Sequence, residues 1–311
     1  MPINLRNVTI RQLRALTAVA ENGGVTAAAN KLGLTQPAVT QQLRLLQDQA
    51  KLPLIQRTGD GMILTAAGRE VLEMNKRIEA AIKACEESLD IMTGVTGGSV
   101  SIGAVSTAKY FVPYAIAAFS KRHPKVGIKL TIGNREEIRR EMHGYNLDFA
   151  IMGRPPEDVD VEAHMIGDHP HVIVAASNHW LAKDSGLAAV DLSHETFLTR
   201  EPGSGTRILM EGLFAATALE PHIGMEMDSN ETIKQAVIAG LGIAFISAHT
   251  VAAELEDGRM VILDVGGLPV MRQWFLVRRR DKVLLPPAQT LLDFLISEGV
   301  KFLPDLPENS K

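Results

Sequence analysis

The chain has 311 residues, too many for one ordinary domain and enough for two or three. Apolar residues make up 46% of it, ample for real cores, while its single cysteine excludes an internal disulfide framework and a cysteine-based zinc cluster and suits a reducing cytoplasm. The net charge of −4 is unevenly spread: residues 1–66 hold seven Lys/Arg against three Asp/Glu, the remainder 25 against 33.

A basic head on an acidic body fits a DNA-binding head better than a protein that coats nucleic acid. The start, MPINLRNVTIRQL, has no long apolar run and no small-residue cleavage site, and no segment reaches 18 uninterrupted apolar residues. A cytoplasmic protein without a membrane anchor is expected.

Residues 9–22 read as the first helix. Thr9 and Gln12 form a Thr-x-x-Gln capping box, Ile10, Leu13, Leu16 and Val19 face a core, and Gly23-Gly24 stop the helix. Residues 26–50 then read as two short helices broken at Leu32-Gly33-Leu34. Thr26 can cap the first, and Gly33 is the left-handed residue expected past its end. Thr35 caps the second, with Pro37 in its first turn, where a missing N–H costs nothing. Val39, Leu43 and Leu46 make one buried stripe on that helix. Its other face carries Gln36, Pro37, Thr40, Gln41 and Arg44, side chains suited to base edges and phosphates. Helix–glycine–helix corners also occur in folds that never touch DNA. Residues 52–68 favour the DNA-binding reading, because they form a tight hairpin wing around Thr58-Gly59-Asp60-Gly61, with Arg57 placed for a phosphate.

From Thr65, which caps it, a helical pattern runs to about Thr93. Val71, Met74, Ile78, Ile82, Cys85, Leu89 and Met92 recur every three or four residues. So narrow a stripe on so long a helix calls for a partner helix, hence a dimer; the plainer alternative is packing on its own domain. Cys85 lies on the stripe and is expected to be a small buried hydrophobe rather than a redox sensor. GVTGGS (94–99) is the best domain boundary.

Beyond it strands and helices alternate, which predicts a mostly parallel sheet. SVSIGAV is a strand, then come a helix over roughly 109–121, the strand VGIKLTIG, a helix from Arg135 and the strand DFAIMG. After His169 the alternation restarts with HVIVAAS, TFLTR, a helix from Thr206, IGMEMDS, the helix ETIKQAVIAG and GIAFIS. It closes with MRQWFLVRR and a helix over roughly 286–302, and PDLPENSK looks like a frayed tail.

Ligands in open α/β sheets bind at the carboxyl ends of strands, near helix N-termini. Three such turns stand out: Ser106-Thr107, Asn134-Arg135, and the loop Gly203-Ser204-Gly205-Thr206-Arg207. Lys109, Arg135, Arg154 and Arg207 add positive charge. A flexible loop with a helix cap is the plain alternative for the GSGT stretch. No nucleophile elbow, phosphate-loop lysine motif or HExxH occurs, so no catalytic residue is assigned. His169-Pro170-His171 lacks clustered partners and reads as a strand-start pair rather than a metal site.

The run from TIRQLRALTAVAENGGVTAAANKLGLTQPAVTQQLRLLQ to RTGDGMILTAAG resembles the winged helix-turn-helix of LysR-type transcriptional regulators. It departs from their usual pattern at Gln47, where Glu is usual, at Lys51, where a helix-ending Gly is common, and at Asp60, where a basic wing-tip residue is common. The order of later elements resembles that family's periplasmic-binding-protein-like effector domain, two α/β lobes sharing a cleft. The resemblance implies a winged helix-turn-helix over 1–64, a linker and dimerisation helix over 65–96 and an effector domain over 97–311. Its lobe I would hold 97–168 and 271–304, its lobe II 169–270.

STAKYFVP (106–113), GNRE (133–136), MGRPP (152–156), HPHVIVA (169–175), REPGSGTR (200–207) and SNETIKQAVIAGLGIAFISAHT (229–250) resemble, within that family, activators of Calvin-cycle carbon-fixation operons. This implies control of RuBisCO genes, double-stranded DNA and RNA polymerase as partners, and a homodimer or pair of dimers. It also implies a phosphorylated metabolite or nucleotide cofactor as effector, with no resident cofactor and no metal. The competing readings are a LysR regulator of another pathway, such as aromatic degradation or nitrogen metabolism, an exported solute-binding protein, and a phosphate-cleft enzyme.

Overall fold

The computed structural model describes residues 3, 5–59, 61–93, 97–217 and 220–306. The wing-tip Asp60, residues 94–96 of the expected break and the tail from 307 lie outside the described residues. The chain forms two compact units, Met1–Glu86 and Glu87–Lys311.

The first unit is built from local signals. Helix α1 (Ile10–Asn22) opens on the expected capping box: Thr9 Oγ1 accepts from Gln12 N at 3.3 Å and Gln12 Oε1 from Thr9 N at 2.8 Å. Leu13, Leu16 and Val19 are buried, but Ile10, in the first turn, is 40% exposed and not part of the core. Helix α2 (Val25–Leu32) begins before Thr26. Left-handed Gly23 and extended Gly24 complete the turn one residue earlier, so Thr26 lies inside the helix and Gly24 is the N-cap, without a side-chain bond. Gly33 is left-handed, as expected. Helix α3 (Gln36–Ala50) starts on Thr35, whose hydroxyl accepts from Ala38 N at 3.4 Å. It ends on Lys51, held at φ 57°, a conformation costing a residue with a Cβ about 1 kcal/mol. Gln47 fastens the chain beyond that turn, its Oε1 accepting from Leu54 N at 2.9 Å.

Strands β1 (Ile55–Thr58) and β2 (Gly61–Leu64) form the wing, antiparallel and closed at Thr58 opposite Gly61. A Cβ on Gly61 would stand 2.7 Å from the Gly23 carbonyl, which accepts from Met62 N, so the wing is pinned to the end of α1. Helix α4 (Ala66–Met92) follows, its start capped by Thr65 Oγ1. Val71 lies in the head's core with Met74 and Ile78 packed against it. Asn75 donates to Thr17 Oγ1 at 2.8 Å, and Arg14 grips Glu79 with two bonds. Later stripe residues are open in the single chain: Leu89 is 55% and Met92 78% exposed, and Cys85 is exposed rather than buried.

The second unit contains β3 (Ser99–Val105), α5 (Val112–Arg122), β4 (Gly127–Gly133), α6 (Arg135–His143), β5 (Phe149–Met152) and β6 (Val161–Ala176). After these come β7 (Thr196–Arg200), α7 (Gly205–Thr217), β8 (His222–Met227), α8 (Asn230–Ile238), β9 (Ala244–Ser247), α9 (Ala248–Glu256), β10 (Met260–Ile262), β11 (Val270–Arg279) and α10 (Pro286–Glu298). The expected helix over 109–121 divides into a 3-10 turn at Ser106–Tyr110 and α5, because Pro113 sets the start of the latter.

The sheet is not mostly parallel. In the seven-stranded sheet the parallel pairs are β3 with β4 and β5, whereas β6 and β11 run antiparallel to each other and to their other neighbours; β7 and β8 form a separate parallel pair. HVIVAAS is no separate strand; it is the far half of the 16-residue β6. The near half of β6 pairs with β11 and the far half with β9 and β10, so one strand serves both lobes. Two pairs of hydrophobic clusters fill the lobes. Phe111, Phe119, Phe149 and Leu291 lie in the first lobe, and Phe197, Phe214, Ile243 and Leu263 in the second.

Candidate functional site

A cavity of about 470 Å³ opens where the lobes face each other. Its first wall is the β3 end, Val105, Ser106 and Thr107, with Asn134 and Arg135 at the start of α6. The opposite wall is Gly203, Ser204, Gly205 and Thr206, leading into α7. Met152, Gly153, Arg154, His169, His171 and Arg272 form the floor. The strand-end rule works here because β3, β4 and β7 each end in a turn at the cavity that leads into a helix.

The hydroxyl-bearing residues Thr107, Ser204 and Thr206 are nearly buried, and their hydroxyls make no hydrogen bond among the described residues. They remain free for a bound acceptor. Polar bonds already join the two walls above the cavity. Asn134 Nδ2 donates to Glu201 Oε1 at 3.2 Å, and Glu136 N to the Gly203 carbonyl at 3.3 Å. Buried Arg200 spans from β7 to Ser106 Oγ at 3.2 Å while holding Asn230 and Glu201.

Four guanidiniums line the site, Arg135, Arg139, Arg154 and Arg272, against three carboxylates, Glu136, Glu157 and Asp158, which pair with Arg139 and Arg154 and leave Arg135 and Arg272 without an acidic partner among the described residues. Burial, reinforced by the Arg154 and Arg139 charges, pulls the Arg135 guanidinium below its ordinary value. Its side chain donates to the Arg154 carbonyl at 3.0 Å. Arg272 has no hydrogen bond or ion pair among the described residues. An anion entering here would meet the partly buried Arg135 guanidinium and Arg272, the two lining cations without an acidic partner among the described residues.

Of the predicted contacts, Ser106, Thr107, Asn134, Arg135, Arg154, Gly203, Ser204, Gly205 and Thr206 line this one cavity. Lys109 and Arg207 do not. Lys109 is drawn off to Glu231 at 3.4 Å, and Arg207 to Glu211 at 2.8 Å and to Glu226. Their partners lie outside the cavity, and the side chains follow them.

Sequence reasoning missed His169, His171, Arg272, Arg139 and the bridging Arg200. His169 and His171 are not a strand start; they sit inside β6, buried, with His169 stacked on Trp274 at 3.7 Å. The signal was present, since two histidines two apart on a strand share one face. Burial, then the neighbouring cations, pushes His169 well below the usual histidine range, and burial drives His171 down to about 4. No group of three or more His, Cys, Asp or Glu placed to hold a metal occurs among the described residues.

In the first unit, Gln36, Pro37, Thr40, Gln41 and Arg44 are exposed on one side of α3, opposite buried Val39, Leu43 and Leu46. Thr35 stands at the N-cap and Arg57, exposed, on the wing. This is a helix presenting its N-terminal polar face beside a two-stranded ribbon, the arrangement that enters a major groove.

The family models "Bacterial regulatory helix-turn-helix protein, lysR family" and "LysR substrate binding domain" match residues 10–69 and 93–299. The chain belongs to the LysR family. It is therefore a DNA-binding transcriptional regulator and not an enzyme. It is 50% identical over 301 residues to the "HTH-type transcriptional regulator CbbR" of Xanthobacter flavus, covering 96% of this chain and 90% of that one. It is 42% identical to the "RuBisCO operon transcriptional regulator" of Allochromatium vinosum, covering 95% and 98%. Among solved structures it resembles the Synechocystis CcmR regulatory domain in complex with 2-PG (2-phosphoglycolate). The TM-score is 0.62 at 34% identity, over 64% of this chain and 96% of that one. As a LysR regulator, the protein joins a DNA-reading head to a two-lobed domain built for a small molecule. No described helix is long and apolar enough to cross a membrane.

Proposed function

We propose that this regulator activates carbon-fixation genes, those of RuBisCO and the Calvin cycle, in response to a small phosphorylated metabolite or nucleotide cofactor. It acts in the cytoplasm as a homodimer or pair of dimers and hands its signal to RNA polymerase. The relatives named for the RuBisCO operon support the target. The single observation that carries the effector's nature is the cavity's wall, where three uncommitted hydroxyls face Arg135 and the unpaired Arg272. Oxygen-rich anions are recognised by such a mixture of O–H, N–H and guanidinium donors.

The proposed division of labour runs by segment. Residues 1–64 read DNA through Thr35, Gln36, Pro37, Thr40, Gln41, Arg44 and Arg57, residues 65–96 join two protomers, and 97–311 bind the effector. Within the effector set Lys109 and Arg207 take a supporting place outside the wall.

The deciding experiment has two arms. Footprinting of the purified protein on the promoter region of the host's RuBisCO genes should give a protected site. Calorimetry with 2-phosphoglycolate, ribulose 1,5-bisphosphate and reduced nicotinamide dinucleotide phosphate should show saturable binding of at least one. No protection there, with protection at an unrelated promoter, would overturn the target; silence with every phosphorylated probe would overturn the effector class.

A further inference from the structure

We infer that His169 is the ligand-reading residue at the base of the cavity, presenting an Nδ1–H donor beside Arg272 to an anionic oxygen of the effector. The inference rests on the effector reading above and names an atom for it.

The geometry fixes the proton. His169 Nε2 lies 2.9 Å from Ser247 Oγ. Ser247 is fully buried, and Nε2 is the only acceptor its hydroxyl meets among the described residues. A buried hydroxyl that donated to nothing would cost about 1–3 kcal/mol, so the hydroxyl donates and Nε2 accepts. A neutral imidazole that accepts at Nε2 must carry its proton on Nδ1. Burial and the nearby His171, His249 and Arg272 keep the ring neutral. The neighbouring rings are fixed in the same way. Trp274 Nε1 donates to His249 Nδ1 at 3.1 Å, and His171 Nδ1 donates to the His169 carbonyl at 3.2 Å.

That Nδ1 is buried and has no partner. A buried unpaired donor is uncommon and calls for an explanation. Two observations say where it points. His169 lines the cavity, and the Gly153 backbone packs beside Nδ1 with no side chain to cover it: a Cβ there would stand 3.1 Å from that atom. Arg272 is the register partner of His169 on β11, so the guanidinium and the ring rise from neighbouring strands at one level. The charged groups around this pole are Arg272, His171 and His249, with Asp168 acting on His249 from the solvent side of β6. None of them is a carboxylate paired to Nδ1, so the vacant acceptor is left to the ligand.

The test uses the full-length protein and 2-phosphoglycolate, with inorganic phosphate as a second probe, by calorimetry. His169→Gln keeps an amide at the Nε2 position for Ser247 and removes the cavity donor; affinity should fall roughly tenfold to a hundredfold. His169→Asn gives up the Ser247 bond but keeps an N–H donor at the Nδ1 position, and should bind close to the parent. Gly153→Ala should weaken binding with His169 untouched. Independently of any ligand, nitrogen-15 side-chain spectra of the free protein should show the His169 proton on Nδ1. A proton on Nε2, or parental affinity in both His169→Gln and Gly153→Ala, would overturn the inference while leaving the effector reading standing. Failure of the parent to bind either probe, with binding of an uncharged molecule in the same cavity, would overturn both.

Discussion

Gln36 and His249 show how much one side chain decides in this molecule. Gln36 opens the exposed end of α3, and an amide can bond one base edge twice where a hydroxyl cannot. Gln36→Ala is expected to weaken operator binding by roughly 1–3 kcal/mol and leave random-sequence DNA nearly unaffected. Arg57→Ala should weaken both alike, because a phosphate contact carries no sequence. Competitive titration against random duplex separates the two. His249 accepts from the Trp274 indole and, like His171, is pushed by burial to about 4 from an ordinary value of 6.5. The unfolded chain takes up protons below 6.5 that the folded chain refuses until about 4. Stability is thus full above 6.5 and falls as pH drops toward 4. Urea midpoints at about pH 7.5 and about pH 5 should differ accordingly. His249→Asn, which still accepts from Trp274, should shrink that difference; an unchanged one would clear His249 of the effect.

Helix α4 carries two expectations at the scale of the element. Gly68, at its start, lies so close to Leu54 that an added Cβ would stand 1.9 Å from the Leu54 carbonyl. Gly68→Ala must lift the helix off the wing, and the head's thermal midpoint should fall, at a cost of about 1–3 kcal/mol. Further along, the apolar stripe is half-buried at Ile78 and open at Leu89 and Met92. An uncovered stripe of this length is a surface awaiting a helix. Ile78→Glu should shift the protein from dimer to monomer in sedimentation velocity; an intact dimer would move the interface elsewhere. Elements fixed by neighbours along the chain were legible: the Thr9–Gln12 capping box, the left-handed Gly33 and the Thr58–Gly61 hairpin each depend on a few adjacent residues. Elements fixed at a distance were not. Only the far half of β6 reads as a strand in the sequence, because Gly167, at φ 157°, and exposed polar residues break the apolar pattern of the near half, which pairing with β11 completes. The histidines of the cavity floor gain their meaning from Ser247, His249 and Trp274, roughly 80 to 100 positions later, which no local pattern connects. Lys109 lies off the cavity for the same reason, since Glu231 on α8 claims it, while Arg207 is held by Glu226 and by Glu211 one turn along its own helix.

At the scale of the whole effector domain, the cavity walls come from different lobes, so a ligand touching both has unequal affinity for open and closed arrangements. That inequality is what a switch needs. Thr107→Val on one wall and Ser204→Ala on the other each remove a hydroxyl that has no other partner. Each should lower effector affinity about fivefold to tenfold while sparing effector-free DNA binding, since only the coupling is lost. Calorimetry paired with a mobility-shift assay reads both quantities; a loss of effector-free DNA binding in either variant would argue for damage to the fold instead.

The 16-residue β6 has a bearing on how such a protein can be recombined. Its near half completes one lobe's sheet and its far half the other's, with β11 knitted along the near half. Neither lobe is a transplantable module. A chimaera that exchanged only the second lobe's wall, residues 196–242, would inherit a new ligand preference and leave every strand that pairs with β6 in place. One cut at Asp168–His169 would part the strand inside the cavity floor and leave each product with half a sheet and an open edge, prone to pair with other chains.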